Sequence, residues 1–208
     1  MRMNQLAIAP SQPLANDPFS HSSYLVQRPF WTLLGRTFKV FAPDGSLCLF
    51  VRHKLMTFKD EWNVFADESE RVPLLRIKAR QAIGLNIITD VFDAQTGALL
   101  GTVRHRGLKS LVGDAWDVLG NGEAVVGELL EDSNGLLRRM LPTFFGMPLI
   151  PGRWHLSLGG GQAASIEERR KFFVKEFELK LDGSKVNPRF AIATALLALM
   201  RELMRERG

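Results

Sequence analysis

Eight basic residues recur in three clusters: Arg52 and Lys54, then Arg76, Lys78 and Arg80, then Arg104, Arg106 and Lys109. Within Leu75-Arg76-Ile77-Lys78-Ala79-Arg80 apolar and basic residues alternate. On a strand, that period of two sends the apolar side chains to one face and the cations to the other. If the three strands lie near one another, the cations form a patch that attracts anionic groups, each worth about 1 kcal/mol near a charged lipid leaflet. The same residues also suit a solvated exterior that keeps a protein soluble. Nucleic acid is not expected, because no aromatic residues interleave the cations as a stacking platform would need.

Other candidate chemistry is thin. His21, His53, His105 and His155 show no ligand-like spacing and read as ordinary surface or strand residues. Gly159-Gly160-Gly161 is not followed by Gly-Lys-Ser/Thr and reads as a hairpin turn, and no Gly-x-Ser-x-Gly elbow occurs. Asp114 and Asp117 flank Trp116, but three residues apart on a strand they point to opposite faces, which argues against shared acid–base work. The single cysteine, Cys48, lies in Leu47-Cys48-Leu49-Phe50. It excludes an intramolecular disulfide, reads as a buried inert thiol, and fits a reducing cytoplasm. The expectation is a protein that is not an enzyme, with no cofactor and no metal.

The elements that must position these residues are mostly strands. With 46% hydrophobic residues the 208-residue chain can bury a large core, and its net charge of +5 permits, without requiring, an anionic partner. Residues 1–22 hold Pro10, Pro13 and Pro18 among polar residues and predict a flexible leader; residues 23–208 form the domain. Tyr24-Leu25-Val26 starts the strands. From Phe38 a unit then recurs four times: strand, turn rich in Asp, Gly or Asn, strand. The turns are Ala42–Ser46, Asp67–Arg71, Asp93–Gly97 and Gly120–Glu123, and the equivalent residues Val40, Val64, Val91 and Val118 are spaced by 24, 27 and 27. Such turns between alternating strands signal hairpins, and hairpins too small to bury their own faces pair into a meander. Ser133–Leu141 predicts a short helix stopped by Pro142, after which strands resume over Trp154–Leu158, Gln162–Glu167 and Phe173–Leu181.

The chain closes on Phe190–Met200, where only Thr194 is polar, preceded by Asn187-Pro188 as a helix start. Arg201–Arg207 continues the helix in a solvated composition. A helix apolar all round lies inside protein or membrane. At eleven residues, about 16 Å, the apolar stretch falls short of the roughly 20 residues that span a bilayer. Eleven or twelve strands plus such a helix predict a mainly β fold: a closed antiparallel barrel of about twelve strands around a central hydrophobic C-terminal helix.

In this order the chain resembles the LURP-one-related branch of the tubby C-terminal-like superfamily, distantly related to phospholipid scramblases. The likeness rests on Val40-Phe41-Ala42-Pro43-Asp44-Gly45, on Leu74–Gln81, on Arg106-Gly107-Leu108-Lys109-Ser110-Leu111 with Asp114 and Trp116, and on the apolar helix; it spans roughly residues 24 to 205. The resemblance implies a twelve-stranded barrel wrapped around the helix. It also implies action at membranes, since tubby proteins bind phosphoinositides and scramblases work on lipids with calcium. The chain lacks the scramblase cysteine cluster, and Asp182-Gly183-Ser184 offers one carboxylate where a calcium loop needs several. The resulting expectation is a non-enzymatic binding module for anionic phospholipid headgroups, cytoplasmic and peripheral at the membrane, through Arg52, Lys54, Arg76, Lys78, Arg80, Arg104, Arg106 and Lys109. The alternative is a structural or protein–protein interaction module with no small ligand.

Overall fold

The computed structural model describes residues 17–29, 36–53, 61–83, 86–107, 114–132, 151–169 and 174–205. Twelve strands form one sheet: β1 (Ser23–Pro29), β2 (Arg36–Phe41), β3 (Leu47–His53), β4 (Glu61–Phe65), β5 (Pro73–Ile83), β6 (Asn86–Asp93), β7 (Leu99–His105), β8 (Ala115–Leu119), β9 (Val125–Glu131), β10 (Arg153–Leu158), β11 (Gly161–Arg169) and β12 (Val174–Leu181). Each strand pairs antiparallel with its neighbours in sequence, and β1 pairs with β12 from Ser23↔Lys180 to Pro29↔Val174, closing the barrel. One helix, α1 (Pro188–Arg205), follows β12. The expected fold class is the observed one.

The recurring unit has a structural basis. Val40, Val64, Val91 and Val118 all point inward and are buried. Immediately after each, the register slips by one residue: between Val40/Phe41, Val64/Phe65, Val91/Phe92 and Val118/Leu119. The residue left over on the partner strand is Cys48, Leu74, Leu100 or Val126. A bulge bends its strand and sharpens the local twist, so the repeat curves the sheet at equivalent points. Side-chain and backbone chemistry then reverses the chain. In the β6–β7 turn the Asp93 carboxylate accepts from the N–H groups of Gln95 (3.0 Å) and Thr96 (2.9 Å), and Gly97 takes a left-handed φ of +75° that other residues resist.

The core is the barrel's interior. Helix α1 starts at the end that carries these hairpin turns, where the Asn187 side-chain oxygen caps it by accepting from the Arg189 N–H at 2.9 Å. Residues 190–200 are all buried, and the one polar side chain among them, Thr194, donates to the Phe190 carbonyl at 2.8 Å. The helix fits because the wall makes room. Gly101 and Gly127 occupy the inward position of their strands that Leu49 and Leu75 occupy in the first two hairpins; Gly127 makes room for Ser157 and Leu158 of β10, and Gly101 for the helix. A Cβ on Gly101 would lie 2.5 Å from Phe190 Cε2.

Two expectations are corrected. The leader was expected to run to residue 22, yet Phe19 is 3% exposed and belongs to the core, while Asp17 forms an ion pair with Arg189 at 3.2 Å. Residues 17–19 therefore pack against the barrel, because an aromatic ring beside the helix start buries apolar area that the proline-rich composition does not advertise. The tail after Met200 was expected to be solvated, but Glu202 and Leu203 are buried; the helix outlasts its apolar run while still between the walls. The short helix expected at 133–141 lies outside the described residues.

These contacts fix two expected outcomes. Gly101→Ala overpacks the Phe190 ring and costs about 1–3 kcal/mol in urea unfolding. Adding Phe190→Leu recovers part of that cost, so the double variant is more stable than the sum of the singles. Ala195, at 2% exposure, tests enclosure directly: Ala195→Asp buries an unpaired carboxylate, costs several kcal/mol, and yields unfolded or aggregated protein by circular dichroism and gel filtration.

Candidate functional site: a charge ladder on the outer wall

The alternation read from β5 holds. Leu75 and Ile77 point into the core, and Arg76, Lys78 and Arg80 point outward. Arg104 and Arg106 project from β7 and its continuation on the same outer wall, and Arg52 from β3. Lys54 and Lys109 lie outside the described residues. Arg76, Lys78, Arg80, Arg104 and Arg106 are thus brought onto one side, β5 and β7 being separated only by β6. Arg52 on β3 is likewise one strand removed from β5, across β4.

The same registers bring carboxylates to the cations. Lys78 lies opposite Asp90, and Asp90 opposite Thr102. Arg104 lies opposite Asp117, and Asp117 opposite Glu128. Arg80 donates from Nε to Asp90 at 2.5 Å and reaches Glu123 at 3.6 Å, while the Thr102 hydroxyl donates to the other Asp90 oxygen at 2.7 Å. Arg104 donates to Asp117 at 2.7 Å; Arg106 donates to the second Asp117 oxygen and, at 3.0 Å, to Glu128. Arg52 meets Glu70 at 2.7 Å and Lys78 meets Glu61 at 3.8 Å. Arg76 has no carboxylate partner among the described residues and lies over the Phe92 ring, 4.8 Å from its centroid.

The ladder is a network of ion pairs rather than a bare positive patch. Its two central acids, Asp90 and Asp117, are buried although they project outward, because guanidinium groups cover them. Burial pushes the Asp117 carboxyl up, but hydrogen bonds and charge from Arg106 and Arg104 outweigh it and hold the group below its ordinary value. Two non-glycine residues among those described have left-handed backbone: Glu70 (φ +57°) and Glu123 (φ +62°), both partners of ladder arginines.

Sequence reasoning missed a second group, pointing inward at the barrel end opposite the hairpin turns. Glu131 at the end of β9 accepts from the Asp114 N–H at 2.9 Å, and Glu168 at the end of β11 accepts from the Gly152 N–H at 2.9 Å. Each buried carboxylate ties its strand end to the start of the neighbouring strand, and Glu168 also meets Lys175 at 3.6 Å. Parity was the signal: Ala164, Ile166 and Glu168 share the inward face, as do Leu129 and Glu131. His105, expected to be an ordinary strand residue, is buried here with its ring edge-on to Trp116 at 4.7 Å and Nε2 3.6 Å from Asp114. Asp114 and Asp117 serve different faces, as their spacing predicts. Among the described residues no group of three or more His, Cys, Asp or Glu could hold a metal ion, and no helix is long and apolar enough to cross a membrane. Cys48 is buried, and burial pushes its thiol up, away from nucleophilic character.

Because folding lowers the Asp117 pKa, its contribution is fully present above the unfolded carboxylate value and is lost as pH falls through the folded one. Asp117→Asn therefore costs about 1–3 kcal/mol at neutral pH by leaving guanidinium donors underpaired, and its stability deficit narrows below about pH 4. Urea titrations of both proteins across that range measure the gap.

No family model, curated protein or solved structure matches the chain, so a functional reading rests on the residues themselves.

Proposed function

We propose that this protein is a non-catalytic binding module that meets its partner on its outer surface, and that the partner is a protein rather than an anionic bilayer. One observation carries the choice: five of the six described cations of the ladder already face a carboxylate. A lipid phosphate would have to displace those carboxylates, and the wall offers little excess positive charge to draw it in. The interior is taken by α1, which favours recognition from outside. The exposed large apolar side chains point to where: Val72, Leu99, Val125 and Val126 all sit at the hairpin-turn end, where β5, β7 and β9 begin. Membership of the LURP-one-related branch is part of the proposal, supported by the closed barrel around an apolar helix, and so is a cytoplasmic location, supported by the buried lone thiol.

Co-sedimentation with vesicles separates the two partners. The expected result is equally little pelleted protein with neutral and anionic vesicles at low salt. Salt-sensitive binding to anionic vesicles alone, lost on charge reversal at Arg76, Lys78 and Arg80, would restore the lipid reading and overturn this one.

A further inference from the structure

The turn between β8 and β9, Gly120-Asn121-Gly122-Glu123-Ala124, takes no part in the ion-pair ladder except through Glu123. We propose that Asn121 is a site of spontaneous deamidation, giving the hairpin-turn end a charge change that needs no enzyme.

The reaction requires an electrophile and a nucleophile that are both free. The Asn121 amide is exposed and has no hydrogen-bond partner among the described residues. The Gly122 N–H donates no hydrogen bond among the described residues, although Gly120, Glu123 and Ala124 on either side donate at 2.8, 3.2 and 3.5 Å. Gly122 has no side chain to shield its nitrogen, and nothing lies within 4 Å of where a Cβ would stand. The Gly122 nitrogen, losing its proton, attacks Cγ of Asn121. A C–N bond forms, the bond to the amide nitrogen breaks, and ammonia leaves with the proton. Water then opens the resulting five-membered imide at either carbonyl, giving aspartate or isoaspartate.

Comparable sites among the described residues are closed, and the second Asn-Gly pair, Asn134-Gly135, lies outside them. At Asp44-Gly45 the carboxylate accepts from the Ser46 N–H and hydroxyl, and the Gly45 N–H donates to Ala42. At Asp182-Gly183, Ser184 and Lys185 hold the side chain and keep it ionised, with a pKa lowered to about 2, and a carboxylate anion is a poor electrophile. Asn187 precedes Pro188, which has no N–H, and its side chain caps the helix. Asn63 precedes the β-branched Val64 within β4.

Either product adds a carboxylate beside Glu123, which faces Arg80 at 3.6 Å, and close in sequence to the exposed Val125 and Val126. Isoaspartate also lengthens the backbone by one methylene inside a turn that depends on left-handed residues at 122 and 123.

The test is incubation of the folded protein at neutral and mildly alkaline pH, followed by digestion and peptide mass spectrometry. The peptide carrying Asn121 is expected to convert faster than those carrying Asn63 or Asn187, with a rate that rises with pH. An acidic species should accumulate on ion exchange, and the part of it that maps to residue 121 should be lost in Asn121→Gln, whose longer side chain closes a less favourable ring. Gly122→Ala should slow conversion, and urea unfolding of that variant shows whether the turn survives. Conversion at Asn121 no faster than at Asn63 in the folded protein would overturn the proposal.

Discussion

A helix that is apolar on every side must be covered on every side. Residues 190–200 of α1 are all buried, and a single sheet face could shield only one flank of them. Closing the sheet into a barrel solves that problem and a second one, since closure leaves no unpaired strand edge. The two requirements reinforce each other: twelve strands enclose a space too wide to leave empty, and the helix supplies its filling. The bulge after each repeated valine bends the sheet at equivalent heights, and the missing side chain of Gly101 admits Phe190. Local backbone devices and the global enclosure thus answer to one demand.

Filling the inside leaves the outer wall as the exposed surface, and that wall has its own constraint. Asp90 and Asp117 lie outward yet are covered, so their charge must be met locally. Arginines across the register meet it, with Asp117 taking one guanidinium on each oxygen. A planar donor fork suits such sharing better than an ammonium would. These arginines are held where they are because carboxylates need them. Cations committed in this way serve the wall first and are poorly available to a partner, whereas the exposed valines and leucine at the turn end have no such duty.

Much of this was legible in the chain. The valine spacing, the Asp-Gly and Asn-Gly turns and the alternation in β5 give the hairpins, and the unbroken apolar run gives the enclosed helix. The basic residues were also visible, and their outward direction followed from a period of two. Their partners were not, because Arg104 and Asp117 are thirteen positions apart and Arg106 and Glu128 twenty-two, joined only by cross-strand register. Register in turn depends on the bulges, and a one-residue slip has no signature in composition. Phe19 hid among prolines and polar residues, and Glu131 and Glu168 hid because polar residues near strand ends usually face water.

The start of α1 shows how the enclosed helix is held against its own electrostatics. The first turn of a helix favours negative charge, since its unsatisfied N–H groups carry the positive end of the dipole. This helix has no acidic residue there and places Arg189 instead. The compensation comes from elsewhere in the chain: Asp17 meets Arg189 at 3.2 Å, Asp93 of β6 meets it at 3.4 Å, and the Phe19 ring lies 4.3 Å from its guanidinium. The aspartates supply at the helix start the negative charge that its sequence lacks, while the arginine ties the segment before β1 and the β6–β7 turn to the plug. A sequence that favoured the isolated helix would put an acid at 189. This one gives up that local preference, and in exchange the helix is anchored only where the barrel and residues 17–22 are both in place.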